Sequence, residues 1–439
     1  MVVLLATLAM LSSQVTEPVQ PIPSNRQLAW QKLDYYAFVH FGPNTFTGEE
    51  WGDGRENPNI FNPSQLDCRQ WARTFKEAGM KMVIITAKHH DGFCLWPTKF
   101  SGHSVAKSKW RGGKGDVLKE LSEACKEYGL KFGVYLSPWD RNHPDYGTPK
   151  YNEVFNSMLT EVLTQYGEVH EVWFDGANGE GPNGKRQVYD WPGFVDTVRN
   201  HAPDAVIFSD VGPDIRWVGN ESGYAGETNW SMINTDGHEP GSDPPTIKEL
   251  NEGDINGDKW IPAECDVSIR PGWFWRESEN NKVKSVEQLM DIYYRSVGNN
   301  GALLLNVPPD NRGLIHENDA RRLIEFRNKL DAIFKTDLAR GLQQTMYVDP
   351  RGSLSISFAE PKTIGHIVLR EPIAYGQRVK RFRVLGKLGI QETVLAKGTT
   401  IGNRRILRFP QTTVQTLTIV IEDARATATL LPIEAYGPG

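Results

Sequence analysis

Cysteine is scarce in this sequence, and the few cysteines follow no pattern. Cys68, Cys94, Cys125 and Cys265 stand singly among 439 residues, with no C-x-x-C pair and no metal-ligand spacing. Buried free thiols are therefore expected, and a disulfide framework is not indicated. The sequence also has no G-x-S-x-G nucleophile elbow and no G-x-x-x-x-G-K-S/T phosphate loop. These absences favour hydrolysis without a cofactor.

Excess positive charge and long apolar segments are missing too. The formal net charge is −5, from 49 Lys and Arg against 54 Asp and Glu, so nucleic acid is not an expected partner. Beyond the first residues no apolar run is long enough to cross a bilayer, and no membrane span is expected. Tryptophan, by contrast, is frequent, with 13 residues, and exposed Trp faces often stack on sugar rings. Nothing in the sequence predicts the oligomeric state.

The chain begins with a short apolar run, in MVVLLATLAMLSSQVTEPVQPIP. The run is too short to span a membrane and resembles the hydrophobic region of a secretory signal. No basic segment precedes it, and no small-x-small cleavage site is clear. Residues 1–24 are interpreted as a signal or N-terminal extension, and a secreted or periplasmic location is expected.

From Tyr35 onward, strand-like apolar runs alternate with amphipathic helical stretches. Seven strands are predicted, at residues 35–42, 81–90, 131–138, 171–176, 205–210, 259–267 and 301–309. The intervening segment 211–258, rich in Gly, Asn, Pro and Asp, is predicted to form loops. Polar and aromatic residues fall near the strand ends, which favours a TIM-like (β/α)8 barrel over residues 25–337 rather than an open sheet. After about Leu338 short alternating runs predict an all-β sandwich domain, residues 338–439.

The segment EVHEVWFDGANG, residues 168–179, places a single carboxylate where a buried strand meets a glycine-rich loop. Side chains alternate along a strand, so Trp173 and Asp175 are expected on one face and Val172 and Phe174 on the other. An aromatic wall beside a carboxylate at the carboxyl end of a barrel strand is typical of an active site. A turn or N-cap Asp is the simpler alternative.

Five motifs in order extend this pattern: HFGPNTFTGEEW (40–51), ITAKHHDGFCLWPTKFSGHSV (85–105), GVYLSPWDRN (133–142), VWFDGANG (172–179) and AECDVSIRPGWFW (263–275). Together they resemble the α-L-fucosidases of glycoside hydrolase family 29. The GANG continuation and the ECDVSIRPGWFW run resemble the branch of that family that acts on α-1,3 and α-1,4 fucosyl linkages. The resemblance implies a barrel followed by a β-sandwich, in agreement with the fold predicted from the alternation of elements.

The resemblance implies that Asp175, the aspartate of the WFDG motif, is the nucleophile. A carboxylate beside an oxocarbenium-like centre can attack the anomeric carbon and form a covalent glycosyl-enzyme. A retaining mechanism needs a second carboxyl group roughly 5 Å away, which protonates the leaving oxygen and then activates water. Glu221 in RWVGNESG matches the acid/base position of the branch, and Glu264 in AECDV is the second candidate. Glu227 and Glu180 are weaker candidates.

The resemblance also implies a set of substrate-binding residues. His40, His89 and His90 match fucose-binding histidines, and Glu50 and Trp51 match a pair that contacts sugar hydroxyls. Hydrogen bonds from these groups select one arrangement of hydroxyls, whereas aromatic faces cover the apolar side of the ring and the C6 methyl group. The remaining members of the set are Tyr135, Trp173, Trp273 and Arg216. Trp275 is the alternative to Trp273, and Arg216 is expected near the nucleophile.

Metal binding is the rival use of the histidines, since metal-dependent barrel hydrolases also gather His and Asp at strand ends. Their usual first-strand signal is His-x-His, but His40 has Phe38 and Gly42 at those spacings. His89 and His90 on a continuous strand would face opposite sides of the sheet, so joint ligation would require the strand to end there. No metal is therefore expected. No functional role is assigned to His103, His170, His201 and His366.

The leading hypothesis is a secreted or periplasmic retaining α-L-fucosidase that hydrolyses terminal α-1,3/1,4-linked fucose from Lewis-type glycans by double displacement. Fucosylated oligosaccharides or glycoconjugates are then the expected partners. The alternatives are a broad-specificity α-L-fucosidase, another retaining glycosidase, a metal-dependent barrel hydrolase and a non-catalytic fucose-binding protein. The presence of both candidate carboxylates argues against the binding protein.

Overall fold

The computed structural model describes residues 17–342, 344–346 and 352–438. The predicted signal or extension covers residues 1–24, and its apolar run lies outside the described residues. Residues 17–24 pack on the C-terminal domain, where the Val19 N–H donates to the Tyr375 carbonyl at 3.0 Å.

Ten strands precede the C-terminal domain in the described part of the chain. They are β1 (Tyr35–Val39), β2 (Met82–Lys88), β3 (Lys131–Leu136), β4 (Val169–Trp173), β5 (Val206–Ser209), β6 (Ile215–Trp217), β7 (Met232–Ile233), β8 (Lys259–Trp260), β9 (Ala263–Ser268) and β10 (Ala302–Asn306). β7 and β8 form a small antiparallel pair. The other eight close a parallel barrel in the order β1, β10, β9, β6, β5, β4, β3, β2, which confirms the predicted TIM-like fold.

The helices of the described residues are α1 (Asn25–Gln31), α2 (Asn44–Thr47), α3 (Cys68–Glu77), α4 (Val117–Tyr128), α5 (Pro149–Gln165), α6 (Trp191–His201), α7 (Ile247–Glu252), α8 (Val286–Arg295) and α9 (Glu317–Phe334). The ends of α4 show how the sequence fixes such a helix. Asp116 accepts a hydrogen bond from the Lys119 N–H at the start, and Gly129 adopts a left-handed conformation after the last turn. Leu118 and Leu121 then share the face that is buried against the barrel.

Barrel side chains alternate between the interior and the helix layer. Tyr36, Phe38, Trp173 and Phe208 belong to the interior cluster, whereas Phe174 belongs to the larger core between strands and helices. The predicted opposite directions of Trp173 and Phe174 are confirmed. Interior residues at the carboxyl ends of the strands therefore face one common pocket.

Two strand predictions differ from the structure. The segment 211–258 is predicted to form loops, yet it contains β7 and α7, and its residues 215–217 form β6 and complete the barrel. A strand of three residues with a charged residue at its centre has no apolar run for a pattern to detect. The predicted strand 259–267 is divided, because β8 pairs with β7 and the barrel strand β9 begins only at Ala263.

The C-terminal domain is antiparallel throughout its described residues. Its strands are β11 (Gln344–Met346), β12 (Ser353–Leu369), β13 (Val379–Leu388), β14 (Gln391–Gly398), β15 (Arg405–Ala424) and β16 (Glu434–Tyr436). They lie in the order β11, β12, β15, β13, β14, with β16 beside β12. Register shifts along β12 and β15 bend the sheet around an apolar core of its own. The predicted all-β sandwich is confirmed, and the predicted boundary at 337/338 lies between α9 and β11.

The four cysteines are buried and free, as expected. Across the described ranges, no helix is both long and apolar enough to cross a membrane.

Candidate active site

A stack of aromatic rings forms the floor of the pocket at the carboxyl ends of the barrel strands. Trp173 lies between Tyr135 and Phe208, with ring centroids 5.2 and 4.0 Å away. The Trp173 indole N–H donates to Glu264 Oε1 at 2.7 Å, which fixes the ring. The structure thus brings the predicted Tyr135 and Trp173 together as one apolar surface.

Asp175 lies two residues after the end of β4, next to this floor. Its Oδ2 accepts the Tyr135 hydroxyl at 2.9 Å, and its Oδ1 accepts the Ala177 N–H at 2.8 Å. The side chain is 25% exposed, so one edge of the carboxylate is open to the pocket. Burial and the charge of Asp175 hold the pKa of Tyr135 well above its usual value, and the hydroxyl therefore remains a donor. Two donors orient the carboxylate and leave lone pairs free for attack.

His40 follows β1 and is held in one tautomer by Asn306. Asn306 Oδ1 lies 2.9 Å from His40 Nδ1 and 3.2 Å from the His40 backbone N. Because an amide oxygen only accepts, Nδ1 carries the proton and Nε2 remains an acceptor. Burial lowers the pKa of His40 to about 3. The neutral ring can therefore accept a hydrogen bond from a sugar hydroxyl.

His89 and His90 lie side by side, because β2 ends at Lys88 and the chain turns there. Their ring centroids are 4.2 Å apart. His90 Nδ1 is 2.8 Å from Ser137 Oγ, and its Nε2 is 3.7 Å from Asp175 Oδ2. Burial is the main cause that lowers the pKa of both rings, so both are neutral near pH 7.

The segment after α2 brings Glu50 and Trp51 to the rim of the pocket. Glu50 accepts the Trp273 backbone N–H at 2.5 Å and pairs with Arg276. Trp51 is 56% exposed and meets the edge of the His90 ring at a centroid distance of 5.6 Å. A large exposed indole beside polar groups is suited to cover a sugar face.

Glu221 lies in the loop that follows β6, and Trp273 links it to the histidines. Glu221 Oε2 accepts the Trp273 indole N–H at 3.3 Å, while the Trp273 ring lies 5.0 Å from the His40 ring. Burial raises the pKa of Glu221, and the charges of Asp175 and Glu50 raise it further. A carboxyl group whose pKa is raised next to a second carboxyl group is the pairing that a general acid and a nucleophile require.

The structure does not bring Glu264 to Asp175, which corrects the second acid/base candidate. Glu264 is fully buried and accepts hydrogen bonds from Trp173 and Tyr36. It is the second residue of β9 and so lies near the amino end of that strand. The sequence prediction placed it at a strand end because the start of β9 was not recognised.

Arg216 also lies outside the pocket, contrary to the expectation. Its neighbours on β6, Ile215 and Trp217, pack on the barrel interior, so Arg216 faces outward. Its guanidinium group donates to the Leu250 carbonyl at 2.9 Å and to Asn229 Oδ1 at 3.0 Å. Arg216 therefore ties neighbouring loops to the barrel wall.

Two further alternatives lie elsewhere. The Trp275 indole donates to Asn280 at 3.1 Å, so Trp273 rather than Trp275 lines the pocket. Glu227 pairs with Arg405 of the C-terminal domain at 3.2 Å.

Three pocket residues are absent from the sequence prediction. Asn306 donates to the Trp273 carbonyl at 2.8 Å and so also holds the loop that carries this indole. The Trp139 ring lies 4.9 Å from the His90 ring, and Phe274 packs against two of the histidines. Two signals in the sequence could have identified these residues. One is the polar residue that ends the strand GALLLN, and the other is the aromatic residues within the motifs given above.

Two of the three histidines have hydrogen-bond partners within the protein. Asn306 binds His40, and Ser137 binds His90. In the part of the chain that the structure describes, no group of three or more His, Cys, Asp or Glu side chains is placed to hold a metal ion.

An open pocket at the carboxyl end of a TIM barrel, with neutral imidazole acceptors, indole walls and two carboxyl groups, defines a carbohydrate-active hydrolase. The family model for α-L-fucosidase matches residues 23–331. The chain belongs to the α-L-fucosidase family, the glycoside hydrolases of family 29.

Similar proteins are found across kingdoms. Alpha-L-fucosidase 1 of Arabidopsis thaliana is 44% identical over an alignment of 441 positions, and the alignment covers 93% of this chain and 86% of that protein. A glycoside hydrolase 29 family member from an unknown rumen bacterium is 44% identical, with a TM-score of 0.90 over 96% of this chain and 78% of that chain. A family 29 fucosidase of Ruminococcus gnavus in complex with fucose is 31% identical, with a TM-score of 0.88 over 97% of each chain.

Proposed function

We propose that this α-L-fucosidase is a retaining enzyme that releases terminal α-1,3- and α-1,4-linked fucose from Lewis-type oligosaccharides. In this proposal Asp175 is the nucleophile and Glu221 is the acid/base. The observation that carries it is the pair of carboxyl groups in one pocket, with Asp175 oriented by two donors and the pKa of Glu221 raised.

In the first step Asp175 attacks the anomeric carbon while the bond to the glycosidic oxygen breaks. Glu221 gives its proton to that oxygen, so the oligosaccharide leaves as a neutral alcohol. The Tyr135 hydroxyl stays on Asp175 Oδ2 and keeps the carboxylate directed at the sugar. A fucosyl-enzyme ester on Asp175 is the product of this step.

In the second step a water molecule attacks the same carbon and displaces Asp175. Glu221, now a carboxylate, accepts the proton of the water. Two inversions at one carbon give fucose in the α configuration of the substrate.

Recognition of the sugar follows from the pocket walls. The neutral ring of His40 offers Nε2 as an acceptor to a fucose hydroxyl. His90 lies next to the nucleophile, and the His89 ring lies against both His40 and His90. The Trp173 and Tyr135 rings can cover the apolar face of the sugar and its methyl group.

The linkage preference is supported by the loops that shape the rim. In the GANG motif, a Cβ on Gly179 would lie 2.2 Å from Trp139, so glycine is required for this loop to pack on the indole. Trp139 in turn packs on Trp51 at 5.8 Å. In this proposal the exposed Trp51 of this pair contacts the sugar to which fucose is attached.

The test is fucose release from a Lewis-type α-1,3/1,4-fucosylated trisaccharide and from an aryl fucoside. Wild type should act on both, and Asp175→Ala and Glu221→Ala should lose trisaccharide hydrolysis. With azide and an aryl substrate, Glu221→Ala should yield the retained α-fucosyl azide and Asp175→Ala the inverted β adduct. Aryl activity alone would favour a broad-specificity fucosidase, and full activity of Glu221→Ala would exclude it as the acid/base.

We further propose that the enzyme is secreted or periplasmic. The support is the apolar run near the start of the sequence. Cell fractionation with N-terminal sequencing of the mature protein tests this proposal, and an uncut chain confined to the cytoplasm would contradict it.

A further inference from the structure

A second cavity, of about 1140 Å³, lies between the barrel and the C-terminal domain. Its walls come from the loop after β6, from α7 and α8, and from β14 and β15. Positive charge dominates the ionisable side chains of this interdomain cleft: Lys248, Arg295, Lys397, Arg405 and Arg408 against a single carboxylate, Glu227. This balance is notable in a chain whose formal net charge is −5.

Glu227, the single carboxylate, pairs with Arg405, the most buried arginine of the cleft. Arg405, whose side chain is 6% exposed, bonds the Glu227 carbonyl at 2.6 Å and the Glu227 carboxylate at 3.2 Å. Among the described residues its Nε finds no acceptor. Glu227 is therefore not available to neutralise the other cations of the cleft.

Most of the remaining cations lack a partner. Within the described ranges, Lys248, Lys397 and Arg408 take part in no ion pair, and Arg295 has only Asp291, at 3.6 Å on the exposed surface of α8. Like charges that share a concave surface repel one another, and an anion in the cleft relieves that repulsion.

Two tyrosine rings orient the guanidinium groups. The Arg295 guanidinium lies 3.5 Å from the Tyr224 ring centroid, and that of Arg408 lies 4.8 Å from the Tyr294 centroid. Stacking on a ring fixes the plane of a guanidinium and leaves its N–H edge free for an acceptor. Planar N–H edges match the paired oxygens of carboxylate and sulfate groups.

The interdomain cleft adjoins the active site through one loop. Asn220 and Ser222 line the cleft, whereas Glu221 between them binds Trp273 of the pocket. Gly223, at φ +77°, lies close to Val267 of β9 and Ile292 of α8, so this loop packs directly on the barrel wall.

We propose that the interdomain cleft binds the anionic part of a glycan, a sugar that carries a carboxylate or a sulfate group. The C-terminal domain supplies Lys397, Arg405 and Arg408 to this site, which gives the domain a binding role. An acidic glycoconjugate held there lies one loop away from the catalytic pocket. The inference does not depend on the proposed mechanism or linkage preference, since binding is measured without fucose.

The experiment titrates the full chain with 3′-sialyllactose, lactose 3′-sulfate and lactose, with binding followed by calorimetry and ligand-observed NMR. None of these sugars carries fucose. We expect saturable binding of an acidic sugar and none of lactose. The double variant Lys397→Glu/Arg408→Glu, and Lys248→Glu from the barrel side, should weaken binding at least about tenfold. Higher salt should weaken it as well.

Lys387→Glu is the matched control, because Lys387 is exposed on β13 of the same domain and does not line the cleft. It should bind like wild type, and all variants should keep the thermal midpoint and aryl-fucoside activity of wild type. Binding of the sialylated sugar alone, of the sulfated sugar alone or of both supports the site and identifies its anion. Equal binding of lactose, equal loss in Lys387→Glu, or no binding of either acidic sugar by folded wild type overturns the proposal.

Discussion

The protonation state of each pocket residue determines whether it can donate or accept a hydrogen bond. Burial keeps His40 neutral, with its pKa at about 3, and Asn306 leaves it an acceptor toward the sugar. Burial likewise keeps the Tyr135 hydroxyl protonated beside Asp175. The pKa of Glu221 is raised by burial, and a raised pKa suits a carboxyl group that holds a proton and then releases it.

Substitutions of residues next to Glu221 should shift the pH dependence of activity, in either direction according to the residue changed. The general acid must be protonated for the first step, so kcat/KM falls as pH rises through its pKa. Trp273→Phe removes the indole hydrogen bond that lowers this pKa, so the alkaline limb should shift to higher pH. Glu50→Gln removes a nearby negative charge and should shift it to lower pH. The measurement is the pH profile of kcat/KM on the trisaccharide, and shifts in the same direction would contradict the role of Glu221.

Asn306 should matter through His40 rather than by contact with the substrate. Asn306→Ala leaves the His40 Nδ1 proton without its acceptor, at a cost of about 1–3 kcal/mol. We expect roughly ten- to hundredfold lower kcat/KM on an aryl fucoside, because the ring no longer holds one tautomer. Asn306→Asp, which keeps an acceptor oxygen, should restore part of the loss. Equal losses in both variants would contradict the role through His40 and would point to the lost bond to the Trp273 carbonyl or to a packing defect.

Secondary-structure elements with a strong apolar pattern were predictable from the sequence, whereas elements with a weak pattern were not. The long apolar runs of β2, β3 and β10 and the alternation of β12 identify barrel and sandwich from sequence, since buried faces fix the spacing of apolar residues. β6 is short and polar at its centre, and its place is fixed by pairing with β5 and β9. The misplacement of Arg216 and Glu264 follows from the missed β6 and the misjudged start of β9.

A loop beside the nucleophile should depend on Asp210. Asp210 Oδ2 accepts the Gly241 N–H at 2.8 Å, and Gly241 is so close to Gly176 that a Cβ there would lie 1.6 Å from its carbonyl oxygen. Asp210→Ala should speed hydrogen exchange in residues 236–243 by about tenfold or more, because a bond to a carboxylate contributes about 1.5–3 kcal/mol. Asp210→Asn keeps a neutral acceptor and should exchange at a rate between those of Asp210→Ala and wild type. The readout is exchange mass spectrometry, and identical exchange in Asp210→Ala and wild type would rule out the anchor.

For the whole molecule, buried polar bonds join the barrel to the C-terminal domain. Gln377 accepts the Ser231 N–H at 2.8 Å and donates to the Asn229 carbonyl at 3.1 Å. Arg404 pairs with Asp34 at 2.7 Å, and both are largely buried. Such groups are costly to leave unpaired, so the two domains are expected to unfold together.

Asn300 contributes to these bonds between the barrel and the C-terminal domain. It donates to the Asn229 carbonyl at 3.0 Å, accepts the Asn403 N–H at 2.6 Å and has a left-handed φ of 63°. Asn300→Gly should lower the free energy of unfolding by about 2–3 kcal/mol through lost hydrogen bonds. Asn300→Ala should cost about 1–2 kcal/mol more, since only alanine is strained at this φ. Denaturant unfolding measures both, and equal values for the two variants would contradict the backbone contribution.

The central claim is double displacement at Asp175. The most direct measurement is to identify by proton NMR which anomer of fucose the wild-type enzyme releases first, before mutarotation mixes the anomers. The account predicts α-L-fucose as the initial product, with the β anomer appearing later at the rate of spontaneous mutarotation. Initial release of β-L-fucose would show a single displacement by water and would contradict the assignment of Asp175 as nucleophile.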